Sequence, residues 1–181
     1  MQNGGIRYLL PIAFLFLILF LLWRGLNVDP MRIPSPLINK SLPSFVAMRL
    51  ENPQKKLTEK VFFNHLSLLI VWSSWCVSCR VEQEFLLNLK KRSKLRIIGL
   101  DYHDDLKVAK LWLKRYGNPY DSIIFDPQGS LGVDLGVYGV PESFLIDEKG
   151  VIRYKHIGPL SKVVWNREVR PLLSQYGKDY G

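Results

Sequence analysis

The only two cysteines of this chain lie close together, in the stretch LLIVWSSWCVSCRVEQEF at residues 68–85. A Cys–x–x–Cys pair can ligate zinc, form a structural disulfide, or trade electrons by thiol–disulfide exchange. The choice depends on the other ligands in the chain, on the loop that a bridge would close, and on the elements that position Cys76 and Cys79.

Neither a metal site nor a purely structural bridge fits the pair well. A structural zinc ion takes about four Cys or His ligands at short spacing. Here one cysteine pair stands alone, and the three histidines, His65, His103 and His156, are scattered along the chain. A disulfide stabilises a fold mainly through the length of the loop it closes, and a bridge across two residues closes almost none. We predict no metal site.

The redox interpretation explains the position of the pair. The continuous apolar run SLLIVWSS at 67–74 predicts a strand buried on both faces. Apolar residues then recur at helical spacing, which predicts a helix that begins near Cys76. A helix N-terminus favours a thiolate, and the thiolate is the nucleophile of thiol–disulfide exchange. Cys79, one turn further, would resolve the mixed disulfide by attacking Cys76.

The rest of the domain alternates between strand and helix patterns. Further strands are predicted at 95–101, 122–126, 143–147 and 151–157, with helices at about 106–116 and 161–176. This alternation predicts a mainly parallel central sheet with helices on both faces. The short link between the last two strands adds an antiparallel pair at one edge. In the cysteine helix, Glu82 and Glu84 are expected in the first turn and Lys90–Arg92 in the last.

Composition and charge divide the chain into three parts. At 181 residues and 48% hydrophobic content the chain can bury a core, which excludes wholesale disorder. The net charge of +9 comes without a dense basic block, so we predict no nucleic-acid partner and favour a basic surface near anionic lipid. We assign residues 1–26 to a membrane anchor, 27–44 to a proline-rich tether and 45–181 to the folded domain.

The anchor is predicted from the uncharged run YLLPIAFLFLILFLLW at 8–23, which Arg7 and Arg24 flank. Extended from Ile6 to Leu26, it reaches the length of a transmembrane helix. The alternative is a cleaved signal peptide, but no small-x-small site follows the run. A short N-terminal tail usually stays inside the cell, which places the domain outside the cytoplasm.

WCVSCR after an apolar strand resembles the thioredoxin active site. The segment GVYGVPESFLID at 136–147 offers Pro141 for the cis-proline loop of that fold, and with the cysteines present we favour a cis Val140–Pro141 bond over a proline that only enters a strand. The interval between the cysteines and Pro141 leaves room for one extra strand and helix. With YHDD, GNPY, FDPQGSLGVDLGVYGVPE and IRYKHIGPL, the chain is similar to the membrane-anchored thiol:disulfide interchange protein of cytochrome c maturation, the DsbE/CcmG type.

This resemblance implies a thioredoxin-like α/β fold with a central mixed sheet flanked by helices and an extra strand–helix insertion, preceded by one transmembrane helix. It implies a protein-disulfide reductase held in the inner membrane with its domain in the periplasm. A membrane electron donor would re-reduce it. Its partners would be apocytochrome c, whose heme-attachment cysteines it keeps reduced, or a thiol protein of the same maturation system. No cofactor is required, because the two sulfurs carry the electrons.

The resemblance also assigns roles to single residues. Cys76 would be the nucleophile, Cys79 the resolving thiol and Pro141 the cis-proline. Two acids match the family pattern, Glu82 after the cysteines and Glu142 after the proline. Glu82 would tune the thiols and relay protons, or would only complement the helix dipole. The substrate-binding surface would consist of Trp75, Tyr138 and Val140.

One departure and two other functions remain to be tested. The family usually has proline after the first cysteine, where this chain has Val77. Residues between the cysteines influence thiolate stability, so the reduction potential is open. The same scaffold could serve as a general periplasmic thiol oxidase or isomerase. It could also be an apoprotein-binding module with secondary redox activity.

Overall fold

The computed structural model describes residues 4–26 and 36–176. The chain divides into two compact units, Met1–Ile33 and Pro34–Gly181. In the described part of the first unit, helix α1 spans Gly4–Leu26. The predicted anchor stays a prediction, since no helix among the described residues is both long and apolar enough to cross a membrane. Residues 27–35 of the predicted tether lie outside the described residues.

The second unit is built on one seven-stranded sheet. Its strands are β1 Val46–Arg49, β2 Lys56–Thr58, β3 Ser67–Trp72, β4 Arg96–Tyr102, β5 Ser122–Asp126, β6 Glu142–Ile146 and β7 Ile152–Ile157. Their order across the sheet is β2-β1-β5-β4-β3-β6-β7. Within the part of the chain that is described, only the β3–β4 and β4–β5 pairs are parallel. The expectation of a mainly parallel sheet is therefore wrong, because β1, β2 and β6 join antiparallel.

The helices also follow the sequence patterns, with two corrections. They are α2 Val77–Arg92, α3 Leu106–Tyr116, α4 Ser130–Asp134, α5 Lys162–Val164 and α6 Arg170–Tyr176, with a 3-10 turn at Glu59–Phe62. The predicted C-terminal helix is interrupted, because a π-helical turn, Trp165–Val169, joins α5 to α6. Cys76 caps α2, so its first turn ends at Arg80. Glu82 and Glu84 thus lie in the second turn, not the first.

The sheet has a core on each face. All six residues of β3 are buried, as the continuous apolar run predicts. Leu68, Ile70 and Trp72 face a cluster made with α2, α3 and the C-terminal helices. Leu69 and Val71 face a second cluster that includes residues from the 3-10 turn and α4. The cysteine turn therefore follows a strand whose side chains are buried on both faces of the sheet.

The start of the domain lies earlier than the sequence suggested. Residues 37–42, which the sequence assigns to the tether, lie against the second core cluster. The Asn39 N–H donates to the Ile152 carbonyl at 2.8 Å, and the Leu42 N–H donates to the Gly150 carbonyl at 2.9 Å. These bonds attach the segment to the strand β7 edge.

Candidate active site at the cysteine pair

Cys76 and Cys79 lie where β3 passes into α2, as predicted, and they are joined as a disulfide. The Cys76 N–H donates to the Ser73 carbonyl at 3.2 Å, which closes the turn after β3. Cys76 is the N-cap of α2, and its Sγ accepts the Cys79 N–H at 3.0 Å. Unpaired N–H groups at a helix N-terminus stabilise negative charge there. In the reduced protein the same place favours a Cys76 thiolate.

The turn before Cys76 is held by Asp104, which comes from the loop after β4. The carboxylate accepts the Ser73 hydroxyl at 3.1 Å, the Ser74 N–H at 2.5 Å and the Ser74 hydroxyl at 2.7 Å. Asp104 and Asp105 are adjacent, and both precede α3. Asp105 does cap α3, accepting the N–H groups of Lys107 and Val108. Asp104 instead connects the next loop to the cysteine turn.

The predicted proline loop lies beside the disulfide. The Val140–Pro141 peptide bond is cis, as the resemblance to the thioredoxin active site predicted. Strand β6 begins directly after it, and Glu142 pairs with Val71 of β3. This register places the Val140 carbonyl oxygen 3.5 Å from the Cys76 Sγ. Tertiary pairing thus brings together two segments that are 64 residues apart in the chain.

Glu142 is buried and holds the loop that precedes it. Its side chain is 0% exposed, and its Oε1 accepts the Tyr138 N–H at 2.8 Å. Its Oε2 lies 3.0 Å from the Nζ of Lys155 on β7. The sequence analysis missed Lys155. A lysine inside the strand pattern VIRYKHI was the available signal, since an alternating strand places every second side chain on the same face.

Glu82 is buried in the second turn of α2, one turn beyond Cys79. It is 2% exposed, and its Oε1 accepts the Leu160 N–H at 2.7 Å. Burial raises the pKa of the Glu82 carboxyl to about 8, with the Leu160 hydrogen bond lowering it in part. A purely dipole-complementing residue would be solvated in the first turn. Glu82 is buried and lies in the second turn, so its role is not that of a dipole-complementing residue. Because of its raised pKa, the carboxyl changes protonation near physiological pH.

A second buried acid, Asp101, was also missed. It ends the apolar run of β4 and pairs with Trp72 of β3 in the parallel ladder. The Asp101 side chain is fully buried, and the Asp104 carboxyl lies close enough to interact with it. Burial, and next the charge of Asp104, raise the pKa of Asp101 to about 9. The sequence signal for Asp101 was a charged residue at the end of the otherwise apolar strand pattern LRIIGLD.

Apolar side chains stand exposed around the cysteine turn. Trp75 is 60% exposed, and its indole N–H donates to the His103 carbonyl at 2.9 Å. Tyr138 is 64% exposed. Val77, at the first helical position of α2, and Val81 are exposed on the helix. Such exposed apolar groups beside a reactive pair indicate a docking surface for another chain. Trp72, by contrast, is core, as expected.

Thiol–disulfide exchange is the chemistry that this placement serves. The helix N-terminus supplies the nucleophile, the second sulfur lies one turn away, and the Val140 carbonyl borders the first. Within the described ranges, no group of three or more His, Cys, Asp or Glu side chains could hold a metal ion. The fold and the site define the class as a thioredoxin-like thiol–disulfide oxidoreductase.

Comparison with known proteins narrows the class. The profile of the Redoxin family matches residues 38–169. The chain is 39% identical over 176 residues to the thiol:disulfide interchange protein DsbE of Allochromatium vinosum, covering 97% of each chain. It is 42% identical over 173 residues to DsbE of Escherichia coli (strain K12), covering 93% of each. The chain belongs to the Redoxin family and, within it, to the DsbE thiol:disulfide interchange proteins.

The fold is also found among solved structures. A crystal structure of a DsbE-type protein from Chlorobium tepidum matches with a TM-score of 0.67 at 21% identity, covering 77% of this chain and 98% of that chain. At this identity the likeness concerns the fold alone. The DsbE relatives and the Cys76–Cys79 pair together establish thiol–disulfide oxidoreductase activity for this chain.

Proposed function

We propose that this chain is a membrane-anchored periplasmic reductant of cytochrome c maturation. It would keep the heme-attachment cysteines of apocytochrome c, or those of a partner thiol protein, in the reduced state. A membrane electron donor would then return Cys76 and Cys79 to thiols. The sequence resemblance described above and the identity to DsbE proteins support this assignment.

The observation that carries the proposal is the position of the Val140 carbonyl, 3.5 Å from the Cys76 Sγ. Val140 lies at the edge of the loop before β6, where an extended peptide could pair with exposed backbone. Trp75, next to Cys76, and Tyr138, in the same loop as Val140, are both exposed and offer apolar contacts. A peptide disulfide held along this loop would present its sulfur to Cys76, so the substrate class is an extended polypeptide thiol or disulfide.

Electrons and atoms balance over two exchange steps. The Cys76 thiolate attacks one sulfur of the substrate disulfide, forms a Cys76–substrate bond and releases the other sulfur as a thiolate, which takes a proton. The Cys79 thiol loses its proton, and its sulfur attacks the Cys76 Sγ. The substrate then leaves as a dithiol, two electrons richer, and the protein keeps the Cys76–Cys79 disulfide that the structure contains.

Glu82 is proposed as the proton relay for the second step. Its pKa of about 8 lets the carboxyl take up and release a proton at physiological pH. It lies one helical turn beyond Cys79, whose thiol must lose a proton to attack. Glu142 has a different role in this proposal, because it binds the Tyr138 N–H and so shapes the substrate loop.

The location in the cell is supported by the sequence. The uncharged run at 8–23 is the proposed anchor, and the domain that follows it is proposed to lie in the periplasm. A thiol reductant tethered at the membrane surface would meet a membrane electron donor without diffusing through the periplasm.

The proposal is tested by trapping the mixed disulfide in cells. Replacing Cys79 by serine removes the resolving thiol, so Cys76 should remain bound to its substrate. We expect C79S to accumulate a covalent adduct with apocytochrome c or with a thiol protein of its maturation system, and C76S to accumulate none. Adducts of C79S with unrelated secreted proteins alone would overturn the cytochrome assignment.

The reduction potential separates reductant from oxidase. The full-length chain is equilibrated in graded thiol/disulfide buffers, and the cysteines are alkylated at each poise. We expect a midpoint well below the value of about −120 mV that is typical of a strong oxidase. A value near that figure would identify a periplasmic oxidase on the same scaffold.

A further inference from the structure

Lys155 makes three contacts with one short loop. Its Nζ donates to the Gly136 carbonyl at 2.6 Å and lies 3.0 Å from the Glu142 Oε2. The same ammonium group lies 4.6 Å from the centre of the Tyr138 ring, within the range of a cation–π interaction. Gly136, Tyr138 and Glu142 belong to the segment GVYGVPE at 136–142, which contains the cis-proline.

These contacts are made in the protein interior. The Lys155 side chain is 4% exposed and that of Glu142 is 0% exposed. A lysine ammonium is strongly hydrated, and its burial is unfavourable unless partners replace the water. Here a carboxylate, a carbonyl and two aromatic faces, those of Tyr138 and Phe144, surround it. Because removing one partner would leave a buried charge, the group acts as a unit.

The geometry links this unit to the substrate side of the loop. Tyr138 is 64% exposed, so one face of its ring is available to a partner while Lys155 lies near the ring centre. Glu142 holds the Tyr138 N–H from the other direction at 2.8 Å. Val140 lies two residues after Tyr138, and its carbonyl oxygen is 3.5 Å from the Cys76 Sγ. Lys155 on β7 therefore helps to hold the loop that carries Tyr138 and Val140 beside the reactive sulfur.

We propose that Lys155 is a positioning residue that holds the loop Gly136–Pro141, with the Tyr138 ring, in the conformation that receives an extended polypeptide at Cys76. It touches neither sulfur, and it acts through Tyr138 and Glu142. The inference rests on the proposed use of this loop as the substrate surface. It adds a residue on β7 that sets how tightly the polypeptide binds.

The test measures single-turnover reduction of a disulfide peptide containing Cys–x–x–Cys–His by the purified full-length chain, whose Cys76 and Cys79 are first reduced with dithiothreitol that is then removed. The maximal rate gives kcat, and the half-saturating peptide concentration gives KM. K155M keeps the length of the side chain without the charge, and K155R keeps a cation. We expect K155M to raise KM about tenfold, as the loss of one buried polar contact can do. We expect K155R to restore KM to within about threefold of wild type, because its guanidinium can meet the same partners. K110M, on the exposed face of α3, is the matched control.

A small aromatic disulfide serves as second substrate, since it reaches Cys76 without lying along the loop. K155M should lower kcat/KM more for the peptide than for the small disulfide. Because K155M leaves the buried Glu142 carboxylate without its cation, the double variant K155M/E142Q removes both charges and keeps a Tyr138 N–H acceptor. It should fold well and still show the raised peptide KM.

The proposal is overturned if K155M/E142Q binds the peptide as tightly as wild type, or if K155M loses both substrates equally. Failure of the proposed function looks different. In that case the wild-type chain itself does not reduce the peptide, whatever residue stands at 155.

Discussion

At the residue scale, the most informative group is the Glu82 carboxyl, buried where the sequence alone suggested a helix-dipole residue. Its pKa of about 8 means that the folded state holds a proton that the unfolded chain, with a pKa near 4.5, has lost. Between those two pH values the folded state binds more protons. The contribution of Glu82 to stability therefore falls as pH rises from about 4.5 through about 8, and it is most favourable below that window.

We predict that the E82Q variant weakens this pH dependence. Glutamine keeps the acceptor for the Leu160 N–H without an ionisable proton. Between pH 5 and pH 8.5 the wild-type free energy of unfolding should fall more than that of E82Q, by up to about 4 kcal/mol, since one pKa unit corresponds to about 1.4 kcal/mol. Urea denaturation at both pH values measures the difference.

Glu84 provides the control for that experiment. It lies on the same helix turn but is exposed, so E84Q should retain the wild-type pH profile. Parallel profiles for E82Q and wild type would contradict the assignment of the raised pKa to Glu82. Asp101, whose pKa is raised to about 9, remains in every variant and contributes the same background slope.

At the scale of elements, the junction of β3 and α2 depends on a loop from elsewhere in the sheet. Asp104 follows β4, the parallel neighbour of β3, and its three hydrogen bonds to Ser73 and Ser74 hold the turn that presents Cys76. The reactive turn is thus held from outside its own segment. Rigid support of this kind keeps a nucleophile in the geometry that its reaction requires.

We predict that D104A both destabilises the domain and slows exchange. Loss of hydrogen bonds to a charged acceptor should lower the free energy of unfolding by roughly 1.5–3 kcal/mol. D105A removes the α3 cap and should cost about 1 kcal/mol without touching the cysteine turn. Stability is measured by urea denaturation, and the exchange rate by stopped-flow fluorescence. An exchange rate for D104A equal to that of D105A would show that the cysteine turn keeps its reactive geometry without the Asp104 hydrogen bonds.

At the scale of the whole molecule, the boundary of the domain matters for its stability. Residues 37–42 form backbone hydrogen bonds with the segment around β7, and Ser41 bridges to Val151. Leu42 is 9% exposed and packs in the second core cluster. This segment is part of the folded unit, although the prolines on either side of it, Pro36 and Pro43, and its own polar residues are typical of a tether.

We predict that a fragment of residues 45–181 is less stable than one of residues 36–181. It lacks the bonds at Asn39 and Leu42 and the burial of Leu42, together worth roughly 2–4 kcal/mol. Urea titration of the two fragments measures the difference. L42A in the longer fragment should reproduce about half of it. Equal stability of the two fragments would mean that residues 36–44 add nothing to the fold.

Much of the fold was predictable because its signals are local. The buried runs at 67–74 and 122–126, and the capped helix at 106–116, appear in the structure close to their predicted bounds. The strands β1 and β2 were missed because each has at most four residues and little apolar alternation. Their antiparallel pairing, which extends the sheet beyond β5, follows from contacts that short segments do not encode.

The sequence by itself determined the chemistry. Two cysteines one helical turn apart, after a buried strand, specify a nucleophile and a resolving thiol, because the helix N-terminus acts on its own first residues. Only the tertiary structure decided what surrounds them. Segments far along the chain contribute the groups that surround the cysteines: the Val140 carbonyl, Asp104, Lys155 and the Leu160 N–H that binds Glu82. Burial, which makes Glu82 and Asp101 weak acids and encloses the Lys155–Glu142 pair, is a property of the packed sheet and not of any local pattern.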